Sequence, residues 1–248
     1  MPTPRGPRPV SPRRPTRSSR PASASTPVAA LIAAGGPAGI IPLGTANDLA
    51  LTLGIPADPV AAAAVIAAGQ LRRIDVGRVN DVHFLNVASI GLAVAVAERQ
   101  DPELKKRWRT LSYAIATVGA LGEAERFAAT IDCDGAVERV EAYQIAVGNG
   151  VHYGGGLMIA EDAAIDDGLL DVCALATRSV GDLILAAPGL LDGSVGRRDD
   201  VAVFRGRRVV IETAGPMPVN TDGEVTTRTP ATFDVLRQAL TVFVPPPA

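Results

Sequence analysis

Five short segments of this 248-residue chain carry residue types that can do chemistry. The first is Pro42-Leu43-Gly44-Thr45-Ala46-Asn47-Asp48-Leu49-Ala50. An apolar run stops at Pro42, the chain turns at Gly44, and a helix begins near Thr45 to Asp48. Such a turn leaves backbone N–H groups free at the positive end of a helix dipole, which suits phosphate. The Thr45 hydroxyl and Asn47 amide can add hydrogen bonds, although the same residues also suit an ordinary N-cap. The second segment, Asn86-Val87-Ala88-Ser89-Ile90-Gly91-Leu92, is a strand running into a Ser/Gly turn and says little alone. The third, Asn149-Gly150-Val151-His152-Tyr153-Gly154-Gly155-Gly156, lets backbone approach a ligand closely, or is a plain loop. The fourth runs from Ala160-Glu161-Asp162 to Ala163-Ala164-Ile165-Asp166-Asp167-Gly168-Leu169-Leu170-Asp171. Its carboxylates suit a hard cation, and magnesium needs only one or two of them beside carbonyls and water; a solvated acidic turn fits equally. The fifth is Asp222-Gly223-Glu224. A carboxylate held there can take a proton from an alcohol, and an Asp-Gly hairpin turn is also common. His83 and His152 have no partners at metal-ligand spacing, so no zinc site is expected.

Periodicity and turn residues predict the elements that must hold these segments. Helices are expected over 28–34, 47–53, 58–68, 102–122 and 179–191. Strands are expected over 39–43, 71–79, 82–88, 126–133, 137–148, 168–175, 201–204, 207–213, 218–221 and 231–236. A short α/β piece followed by a run of strands argues for two units with a boundary near Gly69.

Composition narrows the classes. The chain is 47% hydrophobic but only 4% aromatic, so its core must come from Ala, Val, Leu and Ile. A net charge of -2 gives no reason to expect a nucleic-acid partner. Cys133 and Cys173 sit in apolar, strand-like contexts and read as two reduced, buried thiols. The longest uncharged stretch, Ser23 to Asn47, is broken by Gly35-Gly36-Pro37 and Pro42, so no spanning helix is expected. Residues 1–25 are dominated by Pro, Arg, Ser, Ala and Thr, with six arginines and no acid, and should be disordered. Setting those six aside leaves 18 basic residues against 26 acidic ones, so the rest of the chain is acidic. Lys105-Lys106-Arg107-Trp108-Arg109 suits an anionic membrane interface, or is a charged helix end with a partly packed Trp.

Together the five segments resemble the bacterial soluble diacylglycerol kinases, the YegS-like lipid kinases. The resemblance lies in the order and wording of PLGTANDLA, NVASIG, NGVHYGGG, IAEDAAIDDGLLDV and VNTDGE, and it covers about residues 28 to 244. It implies an α/β N-terminal unit of the NAD kinase/diacylglycerol kinase type and a mainly β-sandwich C-terminal domain. On this reading residues 1–26 are a tail, 27–69 a partial nucleotide-binding unit, 70–240 the sandwich, and 241–248 a segment returning toward the first unit. The implied activity is transfer of the ATP γ-phosphate to the hydroxyl of diacylglycerol or a similar lipid alcohol. Gly44, Thr45, Asn47 and Asp48 would lie at the nucleotide. Glu224 would be the general base, with Asp222 orienting its turn. Asp167 would bind a structural Mg²⁺, with carbonyls from Ala164 and Leu169. The protein would work in the cytoplasm, peripheral to the inner face of the membrane that holds its lipid substrate, and a homodimer is left open.

The chain departs from the family pattern in one respect. Such kinases carry a glycine-rich GGDGT loop that cradles the phosphates, some twenty to thirty residues before PLGT. That place falls here in the Arg/Pro/Ser tail, and no GGDGT occurs. The first 25 residues are therefore expected to be an off-frame reading or the result of a wrongly chosen start. ATP binding by this chain is expected to be weak, and a non-catalytic lipid- or protein-binding remnant is the alternative.

Overall fold

The computed structural model describes residues 27–44, 47–92, 94, 125–153, 157–158, 160, 162–186 and 188–246. The tail, Thr45, the expected helix 102–122 and the Lys105–Arg109 cluster lie outside the described residues.

The first unit is helical. Helices α1 (Pro27–Ala34), α2 (Asp48–Thr52) and α3 (Pro59–Ala68) follow in order. Helix α3 has clear local causes. The Asp58 carboxylate accepts from Ala61 N–H at 2.8 Å, Pro59 supplies a fixed first turn, and Gly69 ends the helix at φ 75°. The expected strand 39–43 reduces to one parallel bridge, Ala38 with Val242. Pro42 has no N–H to give a ladder, which limits pairing there.

The rest is two facing six-stranded antiparallel sheets. The strands are β1 (Leu71–Val79), β2 (Val82–Phe84), β3 (Val87–Gly91), β4 (Phe127–Cys133), β5 (Ala136–Ala142), β6 (Gln144–Gly148), β7 (His152–Tyr153), β8 (Leu157–Met158), β9 (Leu170–Leu175), β10 (Val201–Gly206), β11 (Arg208–Thr213), β12 (Pro218–Thr221), β13 (Glu224–Arg228) and β14 (Ala231–Phe243). One sheet has the order β2-β1-β14-β11-β4-β5 and the other β10-β9-β6-β3-β12-β13; β7 and β8 form a separate pair. Phe84, Ile90, Ile131, Ile145, Leu170, Val209, Ile211 and Phe233 fill the space between the sheets. Phe84 and Phe233 meet edge to face at 6.5 Å.

Strand alternation feeds a second core. On β9, Leu170, Val172 and Ala174 face the first sheet, whereas Cys173 and Leu175 face Leu183 and Leu190 of α4 (Val180–Ala186) and α5 (Gly189–Asp192). With both faces covered, every residue of β9 is buried. Both thiols are free and buried.

Four further expected elements differ in the structure. The run 82–88 divides, because β2 belongs to one sheet and β3 to the other. The run 137–148 divides at Tyr143 for the same reason. The helix 179–191 breaks around Pro188, whose ring cannot continue the hydrogen-bond series. Strand β14 continues well beyond the expected end at 236 and pairs along β1 as far as Leu71 with Phe243. That ribbon is irregular between Ile74 and Val76. There Ile74 pairs Leu240 and Val76 pairs Leu236, so Arg237, Gln238 and Ala239 stand opposite Asp75 alone.

Candidate active site

The hairpin β12–β13 closes through Asp222 and Gly223, both at positive φ (48° and 99°), with Thr221 pairing Glu224. That is the two-residue turn an Asp-Gly pair favours. The two acids of the turn are used differently. The Asp222 carboxylate accepts the backbone N–H groups of Leu85 (2.6 Å), Asn86 (2.9 Å) and Val87 (3.1 Å), and Asp222 N–H donates to the Val87 carbonyl at 3.0 Å. The residue is exposed at the turn, but its carboxyl group points inward. Burial pushes its pKa up, against the pull of the three N–H donors. Glu224 is exposed, and no described residue hydrogen-bonds its side chain.

The anchored segment 85–87 is where the chain passes from one sheet to the other, and it leads to the third motif. Asn149 N–H donates to the Asn86 carbonyl at 2.8 Å, and Asn149 Nδ2 donates to the carbonyls of Leu85 and Asp75, each at 3.0 Å. Asn149 is buried, and its Oδ1 has no partner among the described residues. Three residues on, His152 Nδ1 lies 3.1 Å from Thr52 Oγ1 on α2, the helix that follows PLGTAN. Burial lowers the His152 pKa, and the negative charge of Asp48 opposes this. Asp48, at the start of α2, is itself buried.

The first motif is stapled shut. Gly44 N–H donates to Asn47 Oδ1 and Asn47 Nδ2 donates to the Gly44 carbonyl, both at 2.9 Å. Asn47 sits at φ 54° and its side chain gives no cap to α2. The Asn47 amide is thus occupied by the backbone of Gly44.

In the acidic segment, arginines take most of the charge. Asp166 pairs with Arg72 at 2.7 Å. Arg205 binds Asp162 through both terminal nitrogens (2.7 and 3.0 Å) and Asp171 through Nε at 2.5 Å. Hydrogen bonding to Arg205 lowers the Asp162 pKa, whereas burial outweighs Arg205 and raises that of Asp171. Among the described residues Asp167 has no ion-pair partner. One of its oxygens accepts Leu169 N–H at 2.9 Å, and burial raises its pKa, with Asp75 and Asp166 adding to the rise. Among the described residues no group of three or more His, Cys, Asp or Glu side chains is placed to hold a metal. A single carboxylate beside main-chain carbonyls of the 164–169 turn still fits magnesium, which keeps most of its shell as water.

Sequence reasoning missed Asp75 and Arg205. Asp75 is buried inside β1 and its carboxylate accepts Gly168 N–H and Gln238 N–H, both at 2.6 Å. One acid in an otherwise strand-like run, Leu71 to Val79, is a weak signal. Arg205 gave none.

Two family models match the chain. The diacylglycerol kinase catalytic domain matches residues 25–79, and the YegS C-terminal NAD kinase beta sandwich-like domain matches residues 86–244. A Pseudomonas aeruginosa protein named "Probable lipid kinase YegS-like" is 34% identical over 206 residues, covering 83% of this chain and 67% of that protein. A diacylglycerol kinase of Mycobacterium tuberculosis is 33% identical over 218 residues, covering 84% and 69%. The chain spans only about half, 51%, of a Synechocystis protein, sll0036, to which it is 28% identical. The crystal structure of a diacylglycerol kinase from Bacillus anthracis superposes with a TM-score of 0.69 at 31% identity, covering 84% of this chain and 68% of that one. With family models matching residues 25–79 and 86–244 and relatives 33–34% identical over more than four-fifths of its length, the chain belongs to the diacylglycerol kinase-type family of YegS-like lipid kinases.

Proposed function

We propose that this chain forms the substrate-facing part of an ATP-dependent lipid kinase acting on diacylglycerol or a similar lipid alcohol, with Glu224 as the base. The observation that carries the reading is the division of labour at the turn: an unpartnered, exposed Glu224 stands two residues from an Asp222 whose carboxylate is spent on three main-chain amides. A general base must be free to receive a proton and held still while it does so.

In this reading the proton of the lipid hydroxyl passes to the Glu224 carboxylate. The hydroxyl oxygen bonds to the γ-phosphorus, and the bond from that phosphorus to the β–γ bridging oxygen breaks, releasing ADP. Such transfer depends mainly on positioning and charge stabilisation. The turn from Gly44 through Thr45 and Asn47 to Asp48 would face the nucleotide. Asp167, with the Ala164 and Leu169 carbonyls, would hold Mg²⁺, which stabilises the acidic loop when bound. No helix among the described residues is long and apolar enough to cross a membrane; in this reading a bilayer substrate would be met at the membrane surface.

The second reading, a non-catalytic lipid- or protein-binding remnant, is favoured by the lack of a GGDGT sequence. Phosphorylation of diacylglycerol in mixed micelles by the 248-residue chain separates the two. Glu224→Gln should lower kcat at least about 10²-fold with little change in ATP binding. Turnover near that of the parent in Glu224→Gln removes Glu224 from this role. No turnover and no ATP binding by the parent chain favours the remnant.

A further inference from the structure

The β1–β14 ribbon runs out of the sandwich and into the first unit. Val79 and Phe233 at one end belong to the core between the sheets. Ile74, Leu240 and Val242 at the other end pack with Val28, Ala50, Ala62 and Val65 of the helices. The break in pairing, three residues of β14 against Asp75, falls where the ribbon changes cores. A broken ladder strands main-chain amides, and a buried amide without an acceptor is costly.

Asp75 supplies the missing acceptors. It is 1% exposed. Its Oδ1 takes Gln238 N–H at 2.6 Å, where Gln238 stands at φ 49°, a backbone state that an ordinary side chain avoids. Its Oδ2 takes Gly168 N–H of the acidic loop, also at 2.6 Å. Its own N–H donates to the Ile165 carbonyl at 2.8 Å, and its carbonyl accepts Asn149 Nδ2. Arg237, inside the same bulge, lies against Gly168 so closely that a Cβ there would sit 2.5 Å from Arg237 Nε. Among the described residues no cation pairs with Asp75. A buried carboxylate without a counter-ion is a poor choice for stability alone, so its use points to geometry.

We propose that Asp75 is a positioning residue: one carboxylate fixes both the joint between the first unit and the sandwich and the seat of the acidic 165–169 loop, so that joint and loop open together. In the kinase reading this holds the nucleotide-facing turn in register with Glu224 and Asp167. The joint itself does not depend on that reading.

The test is amide hydrogen exchange on the whole chain, followed against low denaturant. In the parent protein Gly168 and Gln238 should open with the same free energy and the same denaturant dependence, because one event exposes both. Asp75→Asn keeps the shape but points an amide N–H₂ at one of the two donors. It should speed exchange at both positions at least about tenfold, while Ala146 and Val172, inside the sheets, stay protected. Ile74→Ala, a neighbouring core truncation, should instead raise exchange broadly. Distinct opening free energies for Gly168 and Gln238 in the parent would overturn the proposal, even if no variant folds. So would Asp75→Asn that leaves either amide protected, or Ile74→Ala that reproduces the selective pattern. Lipid phosphorylation is not part of this readout, so failure of the kinase reading would leave the exchange result standing.

Discussion

Replacing Asp222 with alanine separates the two carboxylates of the Asp-Gly-Glu turn. The substitution removes the acceptor for three amides, at 2.6, 2.9 and 3.1 Å. Buried hydrogen bonds to an ionised group are worth about 1.5–3 kcal/mol each. This turn lies at the surface, so water recovers part of the loss, and roughly 1 kcal/mol per bond is the better figure. Alanine at φ 48° adds about 1 kcal/mol of backbone strain. The total is roughly 4 kcal/mol, a large share of the 5–15 kcal/mol typical of a domain. In thermal unfolding it corresponds to a drop of about 10 °C. Asp222→Asn keeps one acceptor oxygen and tolerates the left-handed backbone, so about half that loss is expected. Glu224→Gln should stay within about 0.5 kcal/mol of the parent. Urea unfolding followed by circular dichroism gives the energies, and hydrogen exchange at Leu85, Asn86 and Val87 locates them. A loss below about 1 kcal/mol in Asp222→Ala, with those three amides still protected, would refute the assignment of the turn to this carboxylate.

Three further outcomes are expected. Burial lowers the pKa of both histidines below the ordinary 6.5, with Arg78 adding to the effect at His83 and Asp48 opposing it at His152. The native state then holds fewer protons than the unfolded chain just below that value, so stability is complete above it and declines as pH falls through the lowered values. The urea midpoint should drop between pH 7.5 and 5.5, and a His83→Gln/His152→Gln double variant should show a smaller drop; equal drops would disprove the assignment. Gly91 stands at φ 103°, and a Cβ there would lie 2.3 Å from the Tyr143 carbonyl oxygen. Gly91→Ala should therefore cost more than about 3 kcal/mol in thermal unfolding. Asp167→Ala should abolish any magnesium-dependent rise in melting temperature; an equal rise in both proteins would put the cation elsewhere.

The local signals in the sequence were sound where a single residue decides the backbone. Asp58 and Gly69 marked the ends of α3, and Asp222-Gly223 marked a hairpin turn. Alternation found the strands but not which sheet each one joined. Residues 82–88 and 137–148 each read as one run; in the second, the only mark of the crossing is a one-residue slip of the core-facing positions, from Val140 and Ala142 to Ile145 and Val147. Strand β13 (Glu224–Arg228) was missed because its outward, polar sequence lacks an apolar face. The candidate site was legible as motifs but not as a network. Nothing in the spacing of Asp75, Asn149 and Asp222 indicates that main-chain groups of 85–87, Gly168 and Gln238 join them.

The same division recurs at both acidic motifs, and it says which carboxylates are available for chemistry. A carboxylate whose oxygens are committed to amides or guanidinium groups cannot receive a proton or a cation without giving those contacts up. Asp222 is committed to the 85–87 amides, Asp166 to Arg72, and Asp162 and Asp171 to Arg205. Among the described acids of the two motifs, those uncommitted to cations or clustered amides are Glu224 on one motif and Asp167 on the other, each held by a turn that its neighbours secure. If these two are the working groups, substitutions at the committed acids should act mainly through stability, and substitutions at Glu224 and Asp167 mainly through turnover or cation response. A reversal of that pattern, with Asp166→Asn altering the magnesium response while Asp167→Asn only destabilises the fold, would require the acidic loop to rearrange on binding rather than to serve as it stands.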